Sequence, residues 1–107
     1  MRIAIAAMSP NEDGEISHHG ARAECYLVFD ETATLREALQ NPFKDYDRAV
    51  GVRVADYLAG QAIDVLAAAN LGTGFANALD AKGIRYVESE GTIRSVAKDL
   101  ATRFRAV

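Results

Sequence analysis

The sequence contains a single cysteine, Cys25. That excludes an internal disulfide and a zinc site built from thiolates alone, and it suits a reducing compartment. Histidine is nearly as scarce: His18 and His19 are the only two, so imidazole chemistry has one address. Apolar runs are short. The segment ahead of the first turn offers only Ile3 to Ala7, too little for the core of a signal peptide and far too little to span a bilayer. Positive charge is not in excess. The formal net charge is −3, which leaves no global field to gather nucleic acid or an anionic membrane. Any anionic ligand must be held by local donors. Neither the phosphate-loop pattern with its lysine nor GxGxxG occurs. We expect a soluble, cytoplasmic protein with no nucleic-acid or membrane partner.

What is present fits one domain over residues 1–107. Half of the residues are hydrophobic, enough for a modest core, and a chain of this size buries roughly two thirds of its unfolded surface. Ile3 to Ala7 reads as a strand closed by the turn-rich Ser9-Pro10-Asn11-Glu12-Asp13-Gly14. Cys25 to Phe29 is a second continuous apolar run, as expected of a strand buried on both faces. Residues 31–42 are ambiguous: Leu35, Glu37 and Leu39 alternate, yet Glu, Ala, Leu and Arg favour helix. Pro42 ends either element, and residues 43–49 look like a polar, mobile connection.

From Val50 onward the pattern is regular. Val50, Val54 and Leu58 give an amphipathic helix stopped near Gly60. Ile63 to Ala68 is another buried strand. Phe75, Ala78 and Leu79 mark a second helix closed by Gly83, and Ile84 to Val87 is a short strand. Ile93, Val96, Ala97, Leu100, Ala101 and Phe104 give the clearest helical period, with Thr92 as its cap. This order of elements, with parallel crossovers in its second half, predicts an α/β layered domain.

Four places carry candidate chemistry. Asn70-Leu71-Gly72-Thr73-Gly74 joins a strand to a helix. It is either a plain turn capped by Thr73 or a set of free amides that holds an anion. Glu88-Ser89-Glu90-Gly91-Thr92 joins the last strand to the last helix; its two glutamates are either groups for acid–base work or a hard metal, or acidic residues that complement the helix dipole, the more common case. Cys25 is either a small buried hydrophobe or, with Arg22 close in sequence, a thiol at a strand mouth. His18 and His19 are adjacent, so one imidazole at most faces a given site. They are either solvated turn residues or the source of a single contact to a preformed cluster.

Taken together in order and spacing, these segments resemble the dinitrogenase iron–molybdenum cofactor-biosynthesis family over nearly the whole chain. Met1 to Ala6 resembles its opening strand. His19-Gly20-Ala21-Arg22-Ala23 stands where the family has His-Phe-Gly-Arg-Ala, ahead of a strand ending in Asp30. Asn41-Pro42 matches a recurrent pair, and Gly51 to Leu58 is similar to the first helix. Asn70 to Leu79 with Lys82-Gly83-Ile84 is similar to the glycine turn and second helix, and Glu90-Gly91-Thr92-Ile93 to the approach to the last helix. Counting back from Asp30 puts His19 on the motif histidine; matching a following Phe-Gly would put His18 there. The Phe-Gly order itself is lost.

The resemblance implies a ribonuclease-H-like three-layer fold, with a mixed sheet of about five strands and helices on both faces. It implies a non-catalytic carrier of iron–molybdenum cofactor or a related metal–sulfur cluster, working with cofactor-assembly or nitrogenase-related proteins. The cofactor-binding residues expected are His19, His18, Arg22, Gly72, Thr73 and Gly74, with His19 and Cys25 as candidate metal ligands. Two other readings stand beside it. One is a regulatory or interaction domain that keeps the fold without a cluster. The other is a nuclease by fold analogy, disfavoured because the first strand has no carboxylate for a two-metal centre.

Overall fold

The computed structural model describes residues 1–104, which leaves the last three positions of the expected domain outside the description. Its elements are β1 (Ile3–Ala7), β2 (Cys25–Phe29), β3 (Leu35–Gln40), α1 (Val50–Gly60), β4 (Val65–Ala68), α2 (Thr73–Ala81), β5 (Arg85–Glu88) and α3 (Ile93–Arg103). The strands form one five-stranded mixed sheet in the order β3-β2-β1-β4-β5. β2 runs antiparallel to both β1 and β3, whereas β4 is parallel to β1 and to β5.

The two-residue period of the strands divides the core. Ile3, Ile5 and Ala7 of β1, Cys25, Leu27 and Phe29 of β2, and Val65 and Ala67 of β4 face α3. Ala4, Ala6, Tyr26, Val28, Leu66 and Ala68 face α1 and α2. The register enforces this split, since Ile3 pairs with Phe29, Ile5 with Leu27 and Ala7 with Cys25. Alternate residues point to opposite faces, so a slip of one position would invert every side chain. On the helices Ile93, Val96, Ala97 and Leu100 cover one face, and Val54, Leu58, Phe75 and Leu79 the other. Each large aliphatic side chain so buried contributes about 1.5–3 kcal/mol. The layers are therefore helix, sheet, helix pair.

The ambiguous stretch 31–42 resolves as β3, an edge strand with most of its side chains exposed. Residues 43–49 are anchored at one end: Phe43 packs edge-on against Tyr46 and Tyr57, at 5.2 and 6.2 Å between ring centroids. The later strands begin slightly beyond their expected starts, β4 at Val65 and β5 at Arg85. Thr92 caps α3 as expected, its Oγ1 accepting from the Ser95 N–H at 3.3 Å.

Because β1, β3, β4 and β5 all point the same way, the turns after them gather at one edge of the sheet. All three helices begin there. In open α/β sheets this edge is where ligands are held.

Candidate functional site

The first long turn reaches this edge by threading between strand ends. Ser17 N–H donates to Ala6 O at 2.9 Å, Ile16 N–H to Gly91 O at 3.0 Å, and Ala69 N–H to Ser17 O at 2.9 Å. His18 and His19 follow, both exposed, with the His19 N–H donating to Ser17 Oγ at 3.1 Å. Gly20 is then pressed against the next loop. A Cβ there would lie 2.9 Å from the Phe75 ring and 3.2 Å from Asn70 O, so only glycine permits the approach. The segment carrying the histidines thus lies against the β4–α2 turn.

The side chains diverge from that shared seam. His18 lines a recess of about 370 Å³ with Met8, Glu15, Ala69 and Glu90. Arg22 lines a different one, with Val50, Gly51, Gly72, Gly74 and Phe75. Thr73 and Gly72 border a third, beside Tyr86 and Glu88. Arg22, Gly72 and Gly74 are therefore brought together, while His18 sits beside Glu15 and Glu90 and His19, exposed, lines none of the three recesses. The Arg22 guanidinium is tethered by Lys44 O at 2.8 Å.

The helix starts around Arg22 are open. Ala49 precedes α1 in a left-handed conformation, φ 58° and ψ 30°, and Gly72 precedes α2 at φ 76° and ψ 154°. Neither is a side-chain cap, and neither first turn holds an acidic residue. The expectation that Thr73 caps α2 is corrected here: Thr73 is the first helical residue, one position too late to accept from the first turn. The two helix starts also touch, for a Cβ on Gly51 would stand 3.1 Å from Phe75 Cα. Each helix carries about half a positive charge at its start, and here two such ends border a recess that Arg22 also lines. The third start is filled by the chain itself. Ile93 and Arg94 donate to Gly14 O and Glu12 O, both at 2.9 Å, and Arg94 pairs with Glu12 and Asp13.

Cys25 requires a second correction. It opens β2, but its thiol points into the α3-side core and is 1% exposed. Sγ faces only Ala7 O at 3.8 Å. Burial, and then the neighbouring Glu24 charge, push the thiol pKa up, which disfavours the thiolate a metal needs. Cys25 is not available to the rim, and it does not join His19 in a ligand pair. Among the described residues no group of three or more His, Cys, Asp or Glu is placed to hold a metal ion.

Three residues outside the expected set support the site. Glu88 accepts the Leu71 N–H at 3.0 Å, so it fixes the glycine turn instead of complementing α3. Tyr26, fully buried, donates its hydroxyl to Gly20 O; burial keeps this phenol protonated by pushing its pKa far up. Asn41, 5% exposed, holds the carbonyls of Ala21 and Ala23 at 2.8 and 2.9 Å. Asn41-Pro42 and the Glu88-Ser89-Glu90 stretch are their sequence signals; Tyr26 has none.

Residues 1–103 match the family described as dinitrogenase iron-molybdenum cofactor. The chain belongs to this family. Among solved structures it is similar to the apo form of the orange protein from Desulfovibrio gigas, with 28% identity and a TM-score of 0.86 over 95% of this chain and 88% of that one. It is also similar to a Thermotoga protein of the DUF35 family provisionally described as NifB, with 26% identity and a TM-score of 0.75 over 97% and 89% of the two chains. A third structure, at 19% identity and a TM-score of 0.79 over 96% of this chain and 92% of the other, shares the fold. No curated protein matches the chain. Membership in a family connected with iron–molybdenum cofactor gives the open helix starts a chemical context, since metal–sulfur clusters are bulky anions. The groups gathered here, open amides and a cationic side chain, are ones that bind anions; chelating side chains are not grouped among the described residues. No helix among the described residues is long and apolar enough to cross a membrane.

Proposed function

We propose that this protein is a non-catalytic carrier that holds an anionic metal–sulfur cluster, iron–molybdenum cofactor or a relative of it, at the edge where α1 and α2 begin. One observation carries this reading: two adjoining helix starts without side-chain caps, and without first-turn acids, share a recess with Arg22. Backbone amides and a guanidinium bind anions through charge-assisted hydrogen bonds. His19, exposed on the segment that lies against the β4–α2 turn, supplies one imidazole contact, and Gly72, Thr73 and Gly74 supply the amides. Such binding is shallow and reversible. That suits a protein which receives its cargo from one assembly or nitrogenase-related partner and yields it to another. The family membership and the apo form of the orange protein relative support the same reading.

The test is anaerobic. Purified apo-protein is mixed with isolated iron–molybdenum cofactor, or with tetrathiomolybdate as a small molybdenum–sulfur anion, and passed through a desalting column while the visible spectrum is followed. Co-elution of colour with protein, reduced in Arg22→Ala and in His19→Ala, is expected. Colourless protein from the column would remove the carrier reading and leave an interaction domain of the same fold.

A further inference from the structure

The recess near Arg22 is bordered by a stretch of chain that belongs to no helix or strand, residues 20–24. Such a stretch would ordinarily hold a long cationic side chain loosely. Here its carbonyls are held from below by buried side chains. Asn41 Nδ2 has two hydrogens, and they meet Ala21 O and Ala23 O at 2.8 and 2.9 Å, the two carbonyls that bracket Arg22. The Asn41 backbone N–H adds a bond to Glu24 O at 3.2 Å. Its Oδ1 accepts the Phe43 N–H at 3.0 Å, which shapes the turn whose next carbonyl, Lys44 O, tethers the Arg22 guanidinium at 2.8 Å. One buried amide therefore fixes the backbone on either side of Arg22 and the turn that carries the acceptor for its tip.

We infer that Asn41 is a positioning residue for anion binding: it acts through Arg22, holding the guanidinium at the mouth shared by α1 and α2, without touching the cargo itself. This rests on the carrier reading and deepens it. The physical advantage is preorganisation. An arginine held at both root and tip loses less side-chain freedom on binding, so more of the attraction remains as affinity. No apolar residue can replace Asn41, because two carbonyls and one N–H would lose their partners together.

The experiment is a double-mutant cycle read as tetrathiomolybdate affinity, by anaerobic absorbance titration of the full chain. Thermal melting verifies that each variant is folded. Asn41→Ala is expected to weaken binding about tenfold in the otherwise unchanged protein, as lost preorganisation of one charged contact would. In the Arg22→Ala background the same change is expected to matter less than about twofold, because residues that act as one unit are not additive. If Asn41→Ala does not fold, Asn41→Ser, whose shorter polar side chain leaves room for water at the two carbonyls, takes its place in the cycle. Equal losses in both backgrounds would show a general loosening and overturn the inference, as would a folded Asn41→Ala that binds like the parent. These outcomes leave the carrier reading intact. Absence of binding by the parent protein removes that reading, and the role of Asn41 with it.

Discussion

Gly51 and Phe75 meet where α1 crosses α2. A Cβ built on Gly51 would stand 3.1 Å from the Phe75 Cα and 3.3 Å from its backbone nitrogen. Glycine inside a helix ordinarily costs roughly 0.5–1 kcal/mol relative to alanine. At this position the relation reverses, because backbone atoms cannot yield as a side-chain tip can. Gly51→Ala is expected to destabilise by about 1–3 kcal/mol, the usual cost of overpacking, and to weaken anion binding by separating the two helix starts. Gly60, at the other end of α1, has nothing within 4 Å of its would-be Cβ. Gly60→Ala is expected to stabilise by up to about 1 kcal/mol. Urea denaturation of the two variants checks the opposite signs.

Arg22 is the charged residue that lines the recess between those starts. Arg22→Ala is expected to weaken tetrathiomolybdate binding about tenfold, on the scale of a single charge-assisted hydrogen bond at an open site. Raising the salt to about 0.5 M should weaken the parent more than the variant, since screening removes only what the charge supplied. Titrations at two ionic strengths distinguish this from a loss of shape, which salt would not mimic.

The buried thiol gives a prediction of opposite character. Cys25 is expected to resist a water-soluble thiol reagent in the native protein at mildly alkaline pH and to react promptly once urea unfolds the chain. Burial withholds both access and the thiolate form. Cys25→Ala should retain the cargo colour after desalting. Rapid native labelling, or loss of colour in Cys25→Ala, would return the sulfur to the rim.

Acid sensitivity should trace in part to Asp30. Its carboxylate accepts from the Thr32 hydroxyl, from the Thr34 and Thr32 N–H groups and from Arg36, in a side chain only 14% exposed. Those donors, the Thr32 hydroxyl foremost, hold its pKa well below the usual carboxylate range against the opposing effect of burial. A depressed folded pKa means stability that is present above the unfolded value, about 3.9, and is lost as pH falls toward the folded one. Asp30→Asn should therefore be less stable than the parent at neutral pH and lose less on acidification below about pH 4. Thermal melts across that range provide the comparison.

The sequence made the layered core legible wherever burial alone decides an element. β1, β2 and α3 follow from unbroken apolar runs and a clean helical period. β3 was ambiguous for a physical reason. As an edge strand it exposes Arg36, Glu37, Ala38 and Gln40, and an exposed strand position tolerates helix formers. Pairing with β2, from Cys25–Gln40 to Val28–Glu37, overrides local preference. The fate of Cys25 followed from parity with Leu27 and Phe29 on one face of β2, a simpler signal than its neighbour Arg22. α2 starts one residue earlier than a Thr73 cap implies, because Thr is a good cap in general whereas Gly72, with its positive φ, holds the cap position here. The bonds of Asn41 and Glu88 are not legible in the sequence because their partners lie far along the chain, Ala21 and Asn41 being 20 residues apart and Leu71 and Glu88 17; that of Tyr26 reaches a turn whose shape only the fold fixes. Composition and spacing do not report such links.

β1 is fully buried along all five of its residues, with β2 on one flank and β4 on the other. The two neighbours arrive at very different times. During synthesis β2 follows β1 after a single turn, whereas β4 begins only at Val65. Until then the newborn hairpins present a bare, apolar ladder edge, the kind of surface on which chains seize one another. Covering that edge therefore waits on residues 41–68, the crossover that carries α1 and ends in β4.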